Sequence, residues 1–495
     1  MEETVTKKEF NLNRIIFNVA YIYIAIPIIL FFIFWSKWYV AVPLTILIAF
    51  GLFKICRNDF NDNQIKIDKT NIKVIITGFL VVAAWVYLSG IGGLVYQNSD
   101  HIVRNGLFDL LVDNSWPAIK EIELDGYVAD RGIIYYIAFW IPAALVGKVL
   151  GYEAGYFFQT IWAVIGVFLF FYLLCLFVKK VSLKPLLIFI FFSGLDIVGT
   201  YILAPTTQFV DRTAHIEWWS GFFQFSSFTT QLFWVFNQAM PLWLVTMLVL
   251  LQKNNKQTVL LMGLSVLYGP FPFLGLVPIC IASMLGRKYE GAEGFKGWFI
   301  ALLKDTITIE NVLCGGAVGI ISYIYFRGNA AAQLLDAASP TEDRKGYFFM
   351  YLFFFMLEAG VYFIAVAKSA YKDKYFYVSL VSLMIIPFVK IGYGGDFCMR
   401  VSIPPLLILC TLFIKALYEY WEKGEKLRFA VLLVIFFIGA VTPVHEFNRT
   451  LNETKNRYFN SGSIYRDTMD EDTIFGSDNF SGETDESLFF NWLAR

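Results

Sequence analysis

The longest apolar runs of this chain dictate its solvent. Ile15 to Trp35, Ile72 to Tyr96 and Ala154 to Val178 are nearly free of charge. Runs of about 18 or more such residues are long enough for a helix to cross a hydrocarbon core about 30 Å thick. Lipid offers a backbone no hydrogen-bond partners, so runs like these must close their own hydrogen bonds as helices. Composition agrees: 57% of the 495 residues are apolar and 18% aromatic, against roughly 45–50% apolar in ordinary soluble domains. The expected fold is an all-α polytopic membrane bundle. Lys+Arg and Asp+Glu each number 40, so the charge balance gives no reason to expect nucleic acid as a partner. The six cysteines (56, 175, 280, 314, 398, 410) lie in or beside apolar runs without CxxC spacing. They read as packing residues, with no disulfide framework or zinc site.

Lys and Arg in short loops mark the cytoplasmic side. Lys7, Lys8 and Arg14 precede the first run, and with no cleavage site of small residues after it, that run reads as a retained anchor with a cytoplasmic N-terminus. Spans at 15–35 and 38–56 form a hairpin that returns to a basic loop, and residues 1–71 make one N-terminal unit. The main membrane domain then covers 72–444. Its third span, 72–96, delivers a first outer loop, 97–153. Within that loop "GIIYYIAFWIPAALVGKVLG" is expected as a helix at the outer interface, its aromatic rings at headgroup level. Only 154–178 then crosses, which keeps "KKVSLK" inside.

Spans follow at 184–203 and 231–251, separated by a second outer loop at 204–230. "YGPFPFLGLVP" breaks the next run into a hairpin of two short helices. Spans at 308–326, 347–367, 375–392, 401–420 and 427–444 complete the bundle, with a late outer loop at 327–346. The count is about thirteen crossings. The polar tail, 445–495, is expected outside and partly ordered at best. Together these readings describe an integral membrane protein with its C-terminus outside.

Unusual polar residues gather on the outer side of this threading. The first loop carries Asp100, closest to a span end, followed by Val103, Leu107, Leu110 and Leu111 at helical spacing. They form a narrow apolar stripe for the membrane surface. Asp109 and Asp113, four apart, share the wet face. Asp100 suits a helix N-cap, and one carboxylate oxygen would remain available for chemistry. The second loop offers Asp211, Arg212, His215 and Glu217. A carboxylate from each loop with an imidazole suits Mg²⁺ or Mn²⁺, and ordinary surface charges would look the same. Arg400 follows the "YGGDF" turn. It is placed either to snorkel or to clamp a phosphate bidentately. Asp196 and Glu358 are costly in lipid and must face a bundle interior or a water cavity. No P-loop or GxGxxG element is present, which disfavours a nucleotide-borne donor.

These clusters, in this order, resemble the GT-C superfamily of polytopic glycosyltransferases. The resemblance rests on Asp100 near the start of the first loop, "IIYYIAFWIPAALVGKVLGYEAGYF" after it, and "DRTAHIEWW" in the second loop. In the latter, Arg212-Thr213 precede His215 and Glu217, where family members carry an acidic pair; His at the first acidic position leaves metal-independent chemistry open. The likeness spans about 72–444, the two earlier spans are additional, and the acceptor-binding WWD signature of oligosaccharyltransferases is missing. It implies an inverting transfer of sugar from a polyprenyl-phosphate donor to a glycan, lipid or protein acceptor of the cell envelope. Asp100 would act as general base, Arg400 and Arg212 would bind the lipid phosphate, and His215 with Glu217 would hold a cation or orient the acceptor. Two other classes stay open: a transporter or flippase of lipid-linked glycans using Asp196, Glu358 and the broken "GPFPFLG" helices, and a non-catalytic GT-C-like binding protein.

Overall fold

The computed structural model describes residues 11–57, 65, 68–124, 126–203, 215–221, 223–333, 344–389, 391, 395–462 and 466–495. Asp211, Arg212 and Thr213 fall outside the described residues. The chain runs α1 (Leu12–Trp35), α2 (Trp38–Arg57), α3 (Lys69–Leu88), α4 (Asp100–Asp113), strands β1 (Ile119–Leu124) and β2 (Tyr127–Ile133), α5 (Ile141–Leu150) and α6 (Tyr152–Val178). It continues through α7 (Lys184–Phe191), α8 (Asp196–Leu203), α9 (Phe228–Leu251), α10 (Thr258–Val266), α11 (Pro270–Leu285), α12 (Gly294–Thr306), α13 (Gly316–Arg327) and α14 (Ala330–Gln333). The last part holds α15 (Arg344–Phe355), α16 (Val361–Ala370), α17 (Lys374–Ile385), α18 (Asp396–Val401), α19 (Ile403–Glu422), α20 (Lys426–Gly439), α21 (Val441–Ser461), α22 (Glu471–Gly476) and β3 (Ser481–Glu483).

Among the described residues this is an all-α membrane architecture with one small sheet. Among the described residues, nine helical segments are long and apolar enough to cross a membrane, or ten if the pair Gly294–Thr306 and Glu310–Arg327, bent by 58°, is one span. The other stretches expected to cross are shorter. α10, α11 and α17 have 9, 16 and 12 residues, and at 1.5 Å per residue even α11 reaches only about 24 Å. α10 and α11 do make the expected hairpin: Asn255, before α10, donates to the Met284 carbonyl near the end of α11 at 3.3 Å and accepts from Arg287 Nε at 3.1 Å.

Charge sorts the bundle into two ends. One end gathers the short basic connections, tied by Tyr289 to Asp305 at 2.9 Å, Lys374 to the Ser283 carbonyl at 3.1 Å and Lys368 to Glu425 at 2.6 Å. At the opposite end lie the first loop, the 215–227 segment, the start of α18 and the C-terminal segment. We call this the loop end.

Several expectations are corrected at the loop end. The third apolar run leaves the helix at Leu88, because Gly90, Gly92 and Gly93 take positive φ. At Gly92 a Cβ would lie 2.0 Å from Thr160 Oγ1, so the turn requires glycine. The stretch after β2 does not lie at the membrane surface: Phe139, Trp140, Ile141, Ala143 and Ala144 are fully buried in protein. α5 folds back on α6 through glycines, a Cβ on Gly155 meeting Gly147 Cα at 2.9 Å, which lets the two backbones approach closely. The apolar stripe of α4 also packs on protein, with Leu107, Leu110 and Leu111 buried.

Contrary to expectation the tail is folded in both its described parts, α21 and residues 466–495, and the second part holds the loop end together. β3 pairs antiparallel with β2, which pairs with β1. Arg131, buried, donates to Asp478 at 2.8 Å, the Met469 amide bonds the Ile102 carbonyl at 2.9 Å, and the Arg495 amide bonds Trp35 O at 3.0 Å. The reason is apolar content: Ile474, Phe475 and Phe489 are fully buried in the common core.

Candidate functional site

The site is organised by a kink in α9. Val235 leaves helical geometry (φ −136°, ψ 34°). The cause is two side chains inserted into the helical ladder: Asn98 Nδ2 and His101 Nε2 reach the Phe233 carbonyl at 2.8 and 3.0 Å. Gln97 Nε2 lies 3.2 Å from His101 Nδ1, which fixes the tautomer with the proton on Nε2. Burial, and then the Arg104 charge, pull the His101 pKa down to about 3. It is therefore a neutral structural residue.

One cluster lies on the α4 side of this kink. Asp100 is the first residue of α4, not its cap: Ser99 holds the cap position, and the Asp100 amide takes Asn98 Oδ1 at 3.1 Å. Its Oδ2 pairs with Arg104 at 3.0 Å, and Arg104 also lies over the Phe236 ring, 5.9 Å from its centroid. Arg400 pairs with Asp396 at 2.9 Å, its side chain only 12% exposed, and lies 6.0 Å from the Tyr136 ring centroid. Its Nε is buried with no partner. Burial works against the Arg400 charge, but Tyr136, Asp396, Tyr135 and Asp100 together outweigh it and raise its pKa. Asp100 and Arg400 are thus brought within electrostatic reach of each other, with the Tyr135–Tyr136 hydroxyl pair beside the arginine. The Arg400 of this arrangement is paired and packed rather than snorkelling.

The second cluster lies behind Trp234. His215 is buried between two carboxylates, with Nδ1 3.2 Å from Glu446 Oε1 and Nε2 3.5 Å from Glu217 Oε2. Burial alone would lower its pKa; the bonds and charges of Glu217 and Glu446 overcome that and raise it to about 9. Glu217 is held below the usual carboxylate range: burial pushes it up, and the His215 bond and charge more than reverse this. Glu217 also accepts the Ser227 amide at 2.9 Å and Gln224 at 3.0 Å. Glu446 accepts Trp234 Nε1 at 2.8 Å and pairs with Arg449. A charged imidazole with two carboxylates is a closed ion-pair network. Among the described residues no group of three or more His, Cys, Asp or Glu is arranged to hold a metal ion.

Asp196 and Glu358 meet at two helix breaks. The run expected as one span at 184–203 is interrupted between α7 and α8, and Asp196, at the start of α8, accepts Ser193 Oγ at 2.8 Å and Thr442 Oγ1 at 2.9 Å. Glu358 sits in a π-helical turn, Met356–Gly360, and accepts Trp219 Nε1 at 2.9 Å. The close approach depends on Gly194, where a Cβ would fall 1.7 Å from Glu358 Oε2. Both carboxyls are buried electrostatic neighbours of each other and of Glu217. They face the bundle interior, as their cost in lipid requires.

Asp109 and Asp113, read from the sequence as one wet face, differ. Asp113 is exposed, whereas Asp109 is half-buried, accepts Tyr156 Oη at 2.8 Å and is pushed up to about 6 by burial. Sequence reasoning missed Glu446 and Arg449, which it assigned to the tail. Their signal was available: Thr442, Glu446 and Thr450, four apart, form one buried face of α21. Comparison with protein-family models, curated proteins and solved structures gives no match.

Proposed function

We propose that the protein is a GT-C-type membrane glycosyltransferase. In this reading it moves a sugar from a polyprenyl-phosphate donor to a cell-envelope glycan, lipid or protein acceptor. The loop end faces outward and the N-terminus is cytoplasmic. The observation that supports it is that Asp100 and Arg400, far apart in sequence, come within electrostatic reach of each other, with Tyr136 against the arginine and Tyr135 bonded to Tyr136. Arg104 fixes one oxygen of Asp100 and leaves the other to take the acceptor's hydroxyl proton as the oxygen attacks the anomeric carbon. The bond from that carbon to the lipid phosphate breaks, and Arg400 stabilises the departing phosphate charge. Arg212 is a second candidate for that role.

The test is transfer from a polyprenyl-phosphate sugar in proteoliposomes. Asp100→Asn should lower it at least 100-fold with the protein still folded and inserted; near-normal transfer would end the assignment. Chelation in the same assay separates a Mg²⁺- or Mn²⁺-assisted reaction, for which His215 would have to give up its proton to ligate the ion with Glu217, from a metal-independent one. The buried carboxyls Asp196 and Glu358 favour a second reading, a transporter or flippase of lipid-linked glycans. Translocation of the lipid without sugar transfer, lost in Glu358→Gln, would select it.

A further inference from the structure

The α1–α2 hairpin carries a lipid-facing groove that neither reading uses. A cavity of about 590 Å³ is lined by Ile33, Ala41, Val42 and Ile46 on its apolar walls and by Lys37 and Arg495 among its polar residues. Its size falls within the range of small-molecule sites, about 300–1,000 Å³. Val42 and Ile46 are exposed on a membrane-spanning helix, so the groove opens toward acyl chains and not toward water. Trp38 and Tyr39 are also exposed here, the residue types that settle at headgroup level.

Two features point to a bound molecule with a polar head. Ser36 and Thr45 both line the groove, and their hydroxyl oxygens are buried without a hydrogen-bond partner. Ser36 is only 2% exposed. Buried hydroxyls are normally satisfied. Lys37 and Arg495 make no ion pair among the described residues; Lys37 Nζ reaches only the Trp492 carbonyl, at 3.5 Å. Two cations at the rim of an apolar slot, with free hydroxyls inside it, match one ligand chemistry. The geometry points to one phospholipid held in this groove, an acyl chain along Ala41, Val42 and Ile46, its ester oxygens at Ser36 and Thr45 and its phosphate at Lys37 and Arg495. Basic pockets between membrane helices bind lipid headgroups by the same physics.

The experiment is native mass spectrometry of the full chain released from phosphatidylglycerol nanodiscs, with Thr45→Trp to fill the slot and Lys37→Glu to reverse the rim charge. The expected result is one phospholipid retained by the wild type through detergent exchange and at least a fivefold lower occupancy in each variant. Ten millimolar inorganic phosphate should not displace it. Equal retention in all three proteins, or none in the wild type, would overturn the site. Loss in Thr45→Trp with full retention in Lys37→Glu would leave an acyl-chain groove and overturn the headgroup assignment. Should Thr45→Trp fail to elute as a folded protein, Lys37→Glu, a half-exposed position, decides alone.

Discussion

Replacing His215 by Gln should remove stability that depends on pH in a definite direction. The imidazole has an ordinary pKa of 6.5, raised to about 9 in the fold by Glu217 and Glu446. A group raised on folding binds its proton more tightly in the native state. Its contribution is complete below pH 6.5, declines as the pH rises and is lost through about 9. A difference from 6.5 to about 9 corresponds to about 3 kcal/mol. For a chain of this length that is on the order of 3 °C in Tm. Thermal unfolding of wild type and His215→Gln, followed by intrinsic fluorescence in one detergent from pH 6 to 10, measures it. Taking the difference between the two proteins cancels the titrating groups distant from His215. The gap should be widest at pH 6 and close near pH 9.5. A gap that is constant across the range would refute the charged imidazole and leave His215 as a packed neutral ring.

His101 makes the contrasting case. His101→Leu removes one of two donors to the Phe233 carbonyl and should destabilise by about 1–3 kcal/mol at pH 9, and by about 0.8 kcal/mol less at pH 6, where the unfolded imidazole takes up a proton that the folded one, held well below 6.5, cannot; a loss that is equal at both pH values or larger at pH 6 would contradict its neutral state. Arg131→Met should free the C-terminal segment, because the buried guanidinium joins β2 to Asp478 and to the Ser481 carbonyl. Limited proteolysis should then cut between residues 463 and 495 at least tenfold faster, and unchanged cleavage would show that the apolar contacts of Phe475 and Phe489 suffice.

How much of this was legible depends on which property had to be read. Hydropathy and charge separate water from lipid, so the apolar runs, the gathering of the short basic connections at one end and the collection of acidic and aromatic loops at the other could be read from residue types. Neither property separates lipid from protein interior, since both are apolar. That is why the α4 stripe and the stretch Phe139–Ala144 read as membrane-surface elements while both are buried in the fold. The strands were a different omission. Asp125-Gly126 between "IKEIEL" and "YVADRGI" is a hairpin signature, and the residues flanking it pair as Leu124 with Tyr127.

The candidate site was legible only in halves. Asp100, His215, Glu217 and Arg400 stood out because charged groups next to spans are expensive, but cost says nothing of partners. Glu446 shows the limit most clearly. In the sequence it follows the last apolar run and looks like the first residues of a solvated tail. In the fold α21 continues directly from α20, and Glu446 turns inward to His215 across 231 residues of chain. A carboxylate that closes such a network is chosen by three-dimensional neighbours. The periodic face of Thr442, Glu446 and Thr450 is its one trace in the sequence. That trace shows only that something polar is buried there, and the neighbouring His215 supplies what it is buried against.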